Sequence, residues 1–330
     1  MPASLLTNKG RIFANTILYY ISKDSDSSPR VILELHKDSC SEVRRYLTMY
    51  RLRSKVAIKP LPWSCNFIPG SNVSNTNNAV EIISFVDPRI AGFGTRVLQP
   101  EDMLENKKIS EDDNTAWYER YKLLYGLVDG PEVHNRIPLE CNLDLLHYIS
   151  FNKGCYVGQE LTARTKFKGL VRKRLVPFLL AENASIRSTA NSGPMEPLNA
   201  DLMKKMIDID YPQSCLKLPE SVVSVGSSVY VDAVTTKSIG EVIHLDSTGT
   251  IGVAMIQQVV LQEESLVKSN FVVRAPIAKT GSVDPSDASA EGDLPASKTI
   301  DLDAPVSYIS TFRPTWFQGL DERTGNVADL

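Results

Sequence analysis

The sequence predicts an α+β protein. An antiparallel sheet layered with helices runs to about residue 168, and a small β-barrel or sandwich follows. Three observations carry this. Signals in the order β-β-α-β-β occur before residue 90. After about residue 168 the pattern changes to short strand signals divided by turns. And 330 residues are enough to bury two good cores.

Each element has a local warrant. Residues 11–21 and 30–36 read as strands around a polar Asp/Ser-rich turn. Ser39, Cys40, Ser41 and Glu42 fit a capping box, and Val43, Tyr46, Leu47 and Tyr50 then recur at helical spacing. Strands are expected at 55–61 and 80–86, with an asparagine-rich loop at 70–78 between them. Trp117, Tyr121, Leu124 and Tyr125 mark one side of a helix over 114–125, closed by Gly126. Beyond residue 168, strand signals fall at 171–180, 221–232, 238–245, 250–257 and 271–275. Two insertions interrupt them. Residues 183–219 hold a short helix signal at 200–207, and residues 279–304 have the composition of a disordered segment.

The totals exclude some classes. A net charge of -3 gives no global pull on nucleic acid or membrane. No apolar run has membrane-spanning length. The five cysteines are Cys40, Cys65, Cys141, Cys155 and Cys215, with no Cys-x-x-Cys pair. An odd, sparse set fits a reducing compartment. The first residues read as neither a signal peptide nor an Arg-rich presequence.

The most informative stretch is Lys153, Gly154, Cys155, Tyr156, Val157, Gly158, Gln159 and Glu160. It sets one cysteine between glycines, beside a lysine and at the expected start of a helix in which Glu160 and Arg164 stand at i,i+4. The glycines allow a tight turn and close approach of a ligand or partner. A thiol near a helix N-terminus and a lysine is expected to have a lowered pKa and to favour thiolate, the form that attacks electrophiles and binds soft metals. The bland alternative is a small buried hydrophobe, and the polar neighbours argue against it. Cys40, Cys65, Cys141 and Cys215 read as structural or incidental.

One thiolate limits the chemistry. Iron–sulfur clusters take four protein ligands, so Cys155 could hold one only in company with a partner's thiolates. As a nucleophile it would need a base. His147, eight residues upstream, is a weak candidate. The run Arg164, Lys166, Lys168, Arg172, Lys173 and Arg174 could attract an acidic protein or an anionic small molecule, but without a recognisable module it does not make a nucleic-acid site. Glu140 could accept hydrogen bonds from a heterocycle or cap a helix beginning near Leu143.

These residues resemble the YgfZ family of iron–sulfur assembly factors, relatives of the folate-dependent glycine-cleavage T-protein. Its Lys-Gly-Cys-aromatic-x-Gly-Gln-Glu block is complete at 153–160. Asn8 to Arg11, Asp87-Pro88-Arg89, Tyr118 to Tyr121, Pro138 to Asn142, and Arg313 to Phe317 resemble further family segments. The stretches 160–165 and 169–174 are similar to its mitochondrial branch.

The resemblance implies a T-protein-like fold of ferredoxin-like α+β domains plus a small C-terminal barrel, divided here as 1–168 and 169–330. It implies work in the mitochondrial matrix with A-type scaffold proteins. The task is to convert [2Fe–2S] into [4Fe–4S] clusters for aconitase-type and radical-SAM clients. It places the family thiol at Cys155, with Glu140 and Asn142 as candidate contacts for tetrahydrofolate. Two departures stand out. The family's opening segment, with its Gly-x-Asp and Phe-Leu-x-x-x-x-Thr elements, is absent, which reads as a truncated gene model or a fragment. The T-protein's catalytic aspartates fall near Ala14 and Asn15, and neither is a carboxylate. That disfavours the alternative reading, a folate-dependent one-carbon transferase, for want of an acid/base.

Overall fold

The computed structural model describes residues 1–21, 30–70, 82–101, 111–181, 223–262, 270–274, 306–311, 314 and 316. It is a mixed α+β structure of two small antiparallel sheets and a closed barrel. Strand β2 (Ile12–Ile21) is the centre of the first sheet. It pairs antiparallel with β1 (Pro2–Leu6) on one side and β3 (Arg30–Leu35) on the other. A central strand covered on both faces loses the alternation of a half-exposed one, and residues 14 to 17 are buried in succession.

Helix α1 (Cys40–Arg51) follows, but not through the expected capping box. A 3-10 turn at Lys37–Ser39 runs straight into it, so Ser39 already has helical angles and its side chain makes no cap bond. A cap of that kind needs extended backbone at the first residue. The expected strand at 55–61 is also absent. That stretch is exposed chain, and Pro60 and Pro62 lack the donors a ladder needs. The strand starts later, as β4 (Trp63–Pro69). It forms a second sheet with β5 (Ile83–Val86) and β6 (Gly94–Pro100) in the order β4-β6-β5. The order before α2 is therefore β-β-β-α-β-β-β, two strands more than the sequence suggested. Residues 71–81, which hold most of the expected loop and the start of the strand expected at 80–86, lie outside the described residues.

Helix α2 (Glu111–Leu124) ends as expected. Gly126 sits at φ 62, and its N–H reaches Leu123 O at 2.8 Å while Leu127 N–H reaches Lys122 O at 2.9 Å. This pair of bonds satisfies the last carbonyls of the helix. Trp316 covers the same end, its Nε1 donating to Tyr125 O at 2.8 Å.

The barrel settles the choice between barrel and sandwich. Its six strands are β7 (Lys173–Ala181), β8 (Ser228–Tyr230), β9 (Gly240–Leu245), β10 (Ile251–Gln257), β11 (Asn270–Arg274) and β12 (Val306–Thr311). They close in the order β10-β7-β12-β11-β8-β9. Strand β12 was not among those expected. The two proposed insertions and Cys215 lie outside the described residues.

Period-two alternation lets barrel strands feed two cores. Val176, Phe178, Ala254 and Ile256 fill the barrel. Their sequence neighbours Leu175, Val253 and Met255 point outward, into a second core with Leu123, Leu124, Leu127, Leu143 and Leu146. The segment leading to the cysteine motif is thus packed on the barrel wall.

Candidate functional site

Cys155 is exposed, in a short irregular loop between bends at 151–153 and helix α3 (Gln159–Phe167). The helix begins at Gln159, four residues after the thiol, so Cys155 lies ahead of the helix start near which the sequence placed it. Lys153 packs on a neighbouring aromatic: its Nζ lies 4.8 Å from the centre of the Tyr156 ring, a cation–π contact. A Cβ on Gly154 would meet nothing within 4 Å, so the backbone beside the thiol faces open space.

Hydrogen bonds brace the floor of the loop. Tyr156 N–H donates to Gln159 Oε1 at 3.3 Å, and the Tyr156 hydroxyl shares a 3.2 Å hydrogen bond with Thr162 Oγ1. Thr162 is fully buried and donates to Gln159 O at 2.9 Å. Gly158 caps α3 in the left-handed region at φ 79, where a side chain is strained. It rests on the turn at 7–10: a Cβ there would lie 2.5 Å from Thr7 O and 2.8 Å from Gly10 Cα. Glu160 and Arg164 are both exposed. The structure therefore gathers Lys153, Gly154, Cys155, Tyr156 and Gly158 in one loop, with Gln159, Glu160 and Arg164 on the adjoining helix. His147 is exposed, with no hydrogen bond to Cys155.

A buried cation holds the segment before the loop. Arg174, on β7, donates to both oxygens of Asp144 at 2.7 and 3.1 Å and to Leu139 O at 2.5 Å. Asn142 belongs to this anchor. It is 1% exposed, and its Nδ2 donates to Leu175 O at 2.9 Å. Glu140 is half-buried; desolvation raises its pKa, against the pull of Lys173, Arg11 and Arg136. Residues 138–147 form successive turns, so no helix begins near Leu143 for Glu140 to cap.

A second cluster lies under the two sheets. Arg89 donates to Asp87 at 2.7 and 2.9 Å and to Asp129 at 2.6 Å; Arg96 reaches Asp87 at 2.8 Å and also pairs with Glu34. Burial would raise the Asp87 carboxyl, but the hydrogen bonds and charge of Arg89 hold it below its usual range. Burial is likewise outweighed at Asp129, by Lys122 and then Arg89. Beside this cluster are cavities of about 370 and 240 Å³, both lined by Asn15 and Asp129. The Asn15 amide is 6% exposed and has no hydrogen-bond partner at either end.

Neither Glu140 nor Asn142 lines either of these two cavities, and the Asn142 amide is engaged internally with Leu175 O.

No protein-family model matches the chain. Curated proteins do. The mitochondrial iron–sulfur cluster assembly factor IBA57 homolog of Aspergillus clavatus is 27% identical over 326 aligned residues, covering 87% of this chain and 68% of the relative. That of Aspergillus fumigatus is 29% identical over 217 residues, covering 56% and 48%. IBA57 of Mus musculus is 32% identical over 191 residues, covering 54% and 53%. The chain is a homologue of the IBA57 assembly factors. It spans from about half to about two thirds of the length of these relatives.

Several parts of the site escape a reading of the motif alone. The Thr7–Gly10 seat is a glycine turn whose partner lies far along the chain. Thr162 reads as an ordinary helix residue, and Arg174 reads as one more charge in a basic run. For Asp87 and Arg89 the Asp-Pro-Arg tripeptide was visible, but not the burial of its two charged residues.

Proposed function

We propose that this chain is a non-enzymatic assembly factor of the mitochondrial matrix. It acts with an A-type scaffold protein to mature [4Fe–4S] client enzymes of the aconitase and radical-SAM types. Cys155 supplies one thiolate to a cluster carried by the scaffold, sharing or protecting it. The cluster is cargo in this reading, and the scaffold's thiolates complete its coordination. A T-protein-like arrangement of ferredoxin-like layers, followed by the barrel, is the fold that goes with it.

The observation that carries the proposal is the exposure of Cys155 on a braced loop with open space at Gly154. A sulfur meant for a second protein must be reachable, and a short, immobilised loop loses little entropy on docking. The IBA57 relatives supply the class of task.

The test mixes the purified chain, an A-type scaffold loaded with [2Fe–2S], and apo-aconitase, and follows recovered aconitase activity. Cys155→Ser should fall to the rate of scaffold alone. If Cys155→Ser matures the client as fast as the unaltered chain, the proposal fails.

A further inference from the structure

Helix α3 ends in a surface that combines two properties rarely left together in water. Phe167 is 69% exposed and Leu170 is 61% exposed. Around them, residues 153–173 carry six cations (Lys153, Arg164, Lys166, Lys168, Arg172 and Lys173) against one anion, Glu160, in a chain of net charge -3. A plain solvated face explains the cations but not an aromatic and a leucine among them, since long lysine and arginine stems already cover apolar surface. The patch adjoins the thiol. The Phe167 ring meets Phe151 edge-on at 5.8 Å, two residues before Lys153, and Lys166 Nζ lies 5.7 Å from the same Phe151 ring.

An exposed aromatic anchor with cations on both sides of it along the chain has the anatomy of a protein-docking hot spot. We propose that residues 164–173 are the docking surface for an acidic protein, one that offers an apolar pocket for Phe167 within a rim of Asp and Glu. Docking there brings the partner's cluster to Cys155, and the inference rests on Cys155 as the cluster-sharing thiol. The chemistry favours protein over other polyanions. Leu170 and Phe167 need an apolar pocket, which a phosphate backbone lacks, and α3, with nine residues, offers little area for insertion into lipid.

The experiment measures association of the full chain with an A-type scaffold, cluster-loaded and cluster-free, at low and high salt. Lys166→Glu/Lys168→Glu should slow association by about tenfold and flatten its salt dependence, because opposite charge steers encounter and salt screens it. Phe167→Ser should speed dissociation by about tenfold, as loss of an anchor does. Both variants should keep the parent's thermal midpoint. Cys155→Ser should still dock on the cluster-free scaffold while losing client maturation. Unchanged rates in the charge-reversed and Phe167 variants would overturn the docking surface, whatever Cys155→Ser does. So would failure of the unaltered chain to bind, or tighter charge-dependent binding to phosphatidylserine vesicles or a single-stranded RNA oligonucleotide. Full maturation by Cys155→Ser would overturn the thiol reading alone, with docking still read from the rates.

Discussion

Gly10 and Gly158 meet backbone to backbone. A Cβ on Gly10 would lie 2.7 Å from Gly158 O and 2.5 Å from Leu161 Cβ; one on Gly158 would lie 2.8 Å from Gly10 Cα. Both glycines have positive φ, at 74 and 79. The turn at the front of β2 is thus the seat on which the thiol loop and the start of α3 are set.

That contact makes the two glycines of the motif unequal. Gly158→Ala adds a left-handed strain of about 1–2 kcal/mol and an overpacking penalty of about 1–3 kcal/mol. Gly154→Ala meets open space and should stay within about 0.5 kcal/mol of the parent. Urea midpoints read the difference. A Gly158→Ala protein as stable as Gly154→Ala would show that the seat does not constrain the loop.

The buried pair of Arg174 and Asp144 should behave as a unit. Their side chains are 0% and 2% exposed, and the arginine also holds Leu139 O. Arg174→Met leaves the carboxylate buried and unpaired, and should cost about 3–5 kcal/mol. Adding Asp144→Leu removes the stranded charge and should recover part of that loss. A double-mutant cycle in urea measures the coupling. Strictly additive effects would mean that the pair does not hold the segment.

These contacts mark where reading the sequence stops. Helix α2 and its end at Gly126 were legible because the warrant is local: aromatic spacing, then a glycine that takes a left-handed turn. Strands β7, β9, β10 and β11 were legible as apolar runs between turns. Strand β6 was not, because Arg96 sits buried within it and reads as surface until Glu34 and Asp87 are seen around it. The Ser39 cap failed because a preceding 3-10 turn had already fixed that residue's angles. At the site, the motif and its exposed sulfur were legible. The seat at Thr7–Gly10, the Tyr156–Thr162 bond and the Arg174 anchor are products of tertiary contact, to which no spacing rule points.

One ion pair between helix and barrel gives a pH signature. His244 Nε2 lies 2.7 Å from Glu119 Oε1, joining β9 to α2. The bond to Glu119 raises the His244 pKa above its ordinary 6.5, against desolvation, with Glu132 assisting and Lys122 opposing. The same bond lowers Glu119 below its ordinary 4.5. A raised histidine adds stability that is whole below the unfolded value and fades as pH climbs through the folded one. A lowered carboxylate adds stability that is present above the unfolded value and fades as pH falls through the folded one. The pair is therefore strongest between these ordinary values, 4.5 and 6.5. The stability gap between the parent and His244→Gln should be widest near pH 5.5 and narrow towards pH 9. A gap constant with pH would exclude the charged pair.

The thiols should divide by environment. Burial pushes the Cys141 thiol up to about 12, and Cys65, desolvated beside Glu34, also up to about 12. At pH 8 such a thiol is ionised in only about one molecule in ten thousand, and only the thiolate alkylates. Cys155 is exposed, as is Cys40, whose Sγ donates to His36 O at 3.5 Å. Brief iodoacetamide treatment of the folded chain, followed by peptide mass spectrometry, should label Cys155 and spare Cys65 and Cys141; denaturant should expose all three. Labelling that reached Cys141 as fast as Cys155 would mean that the wall behind the loop opens. Protection of Cys155 in the folded chain would remove the sulfur from reach of any partner, and the assembly role with it.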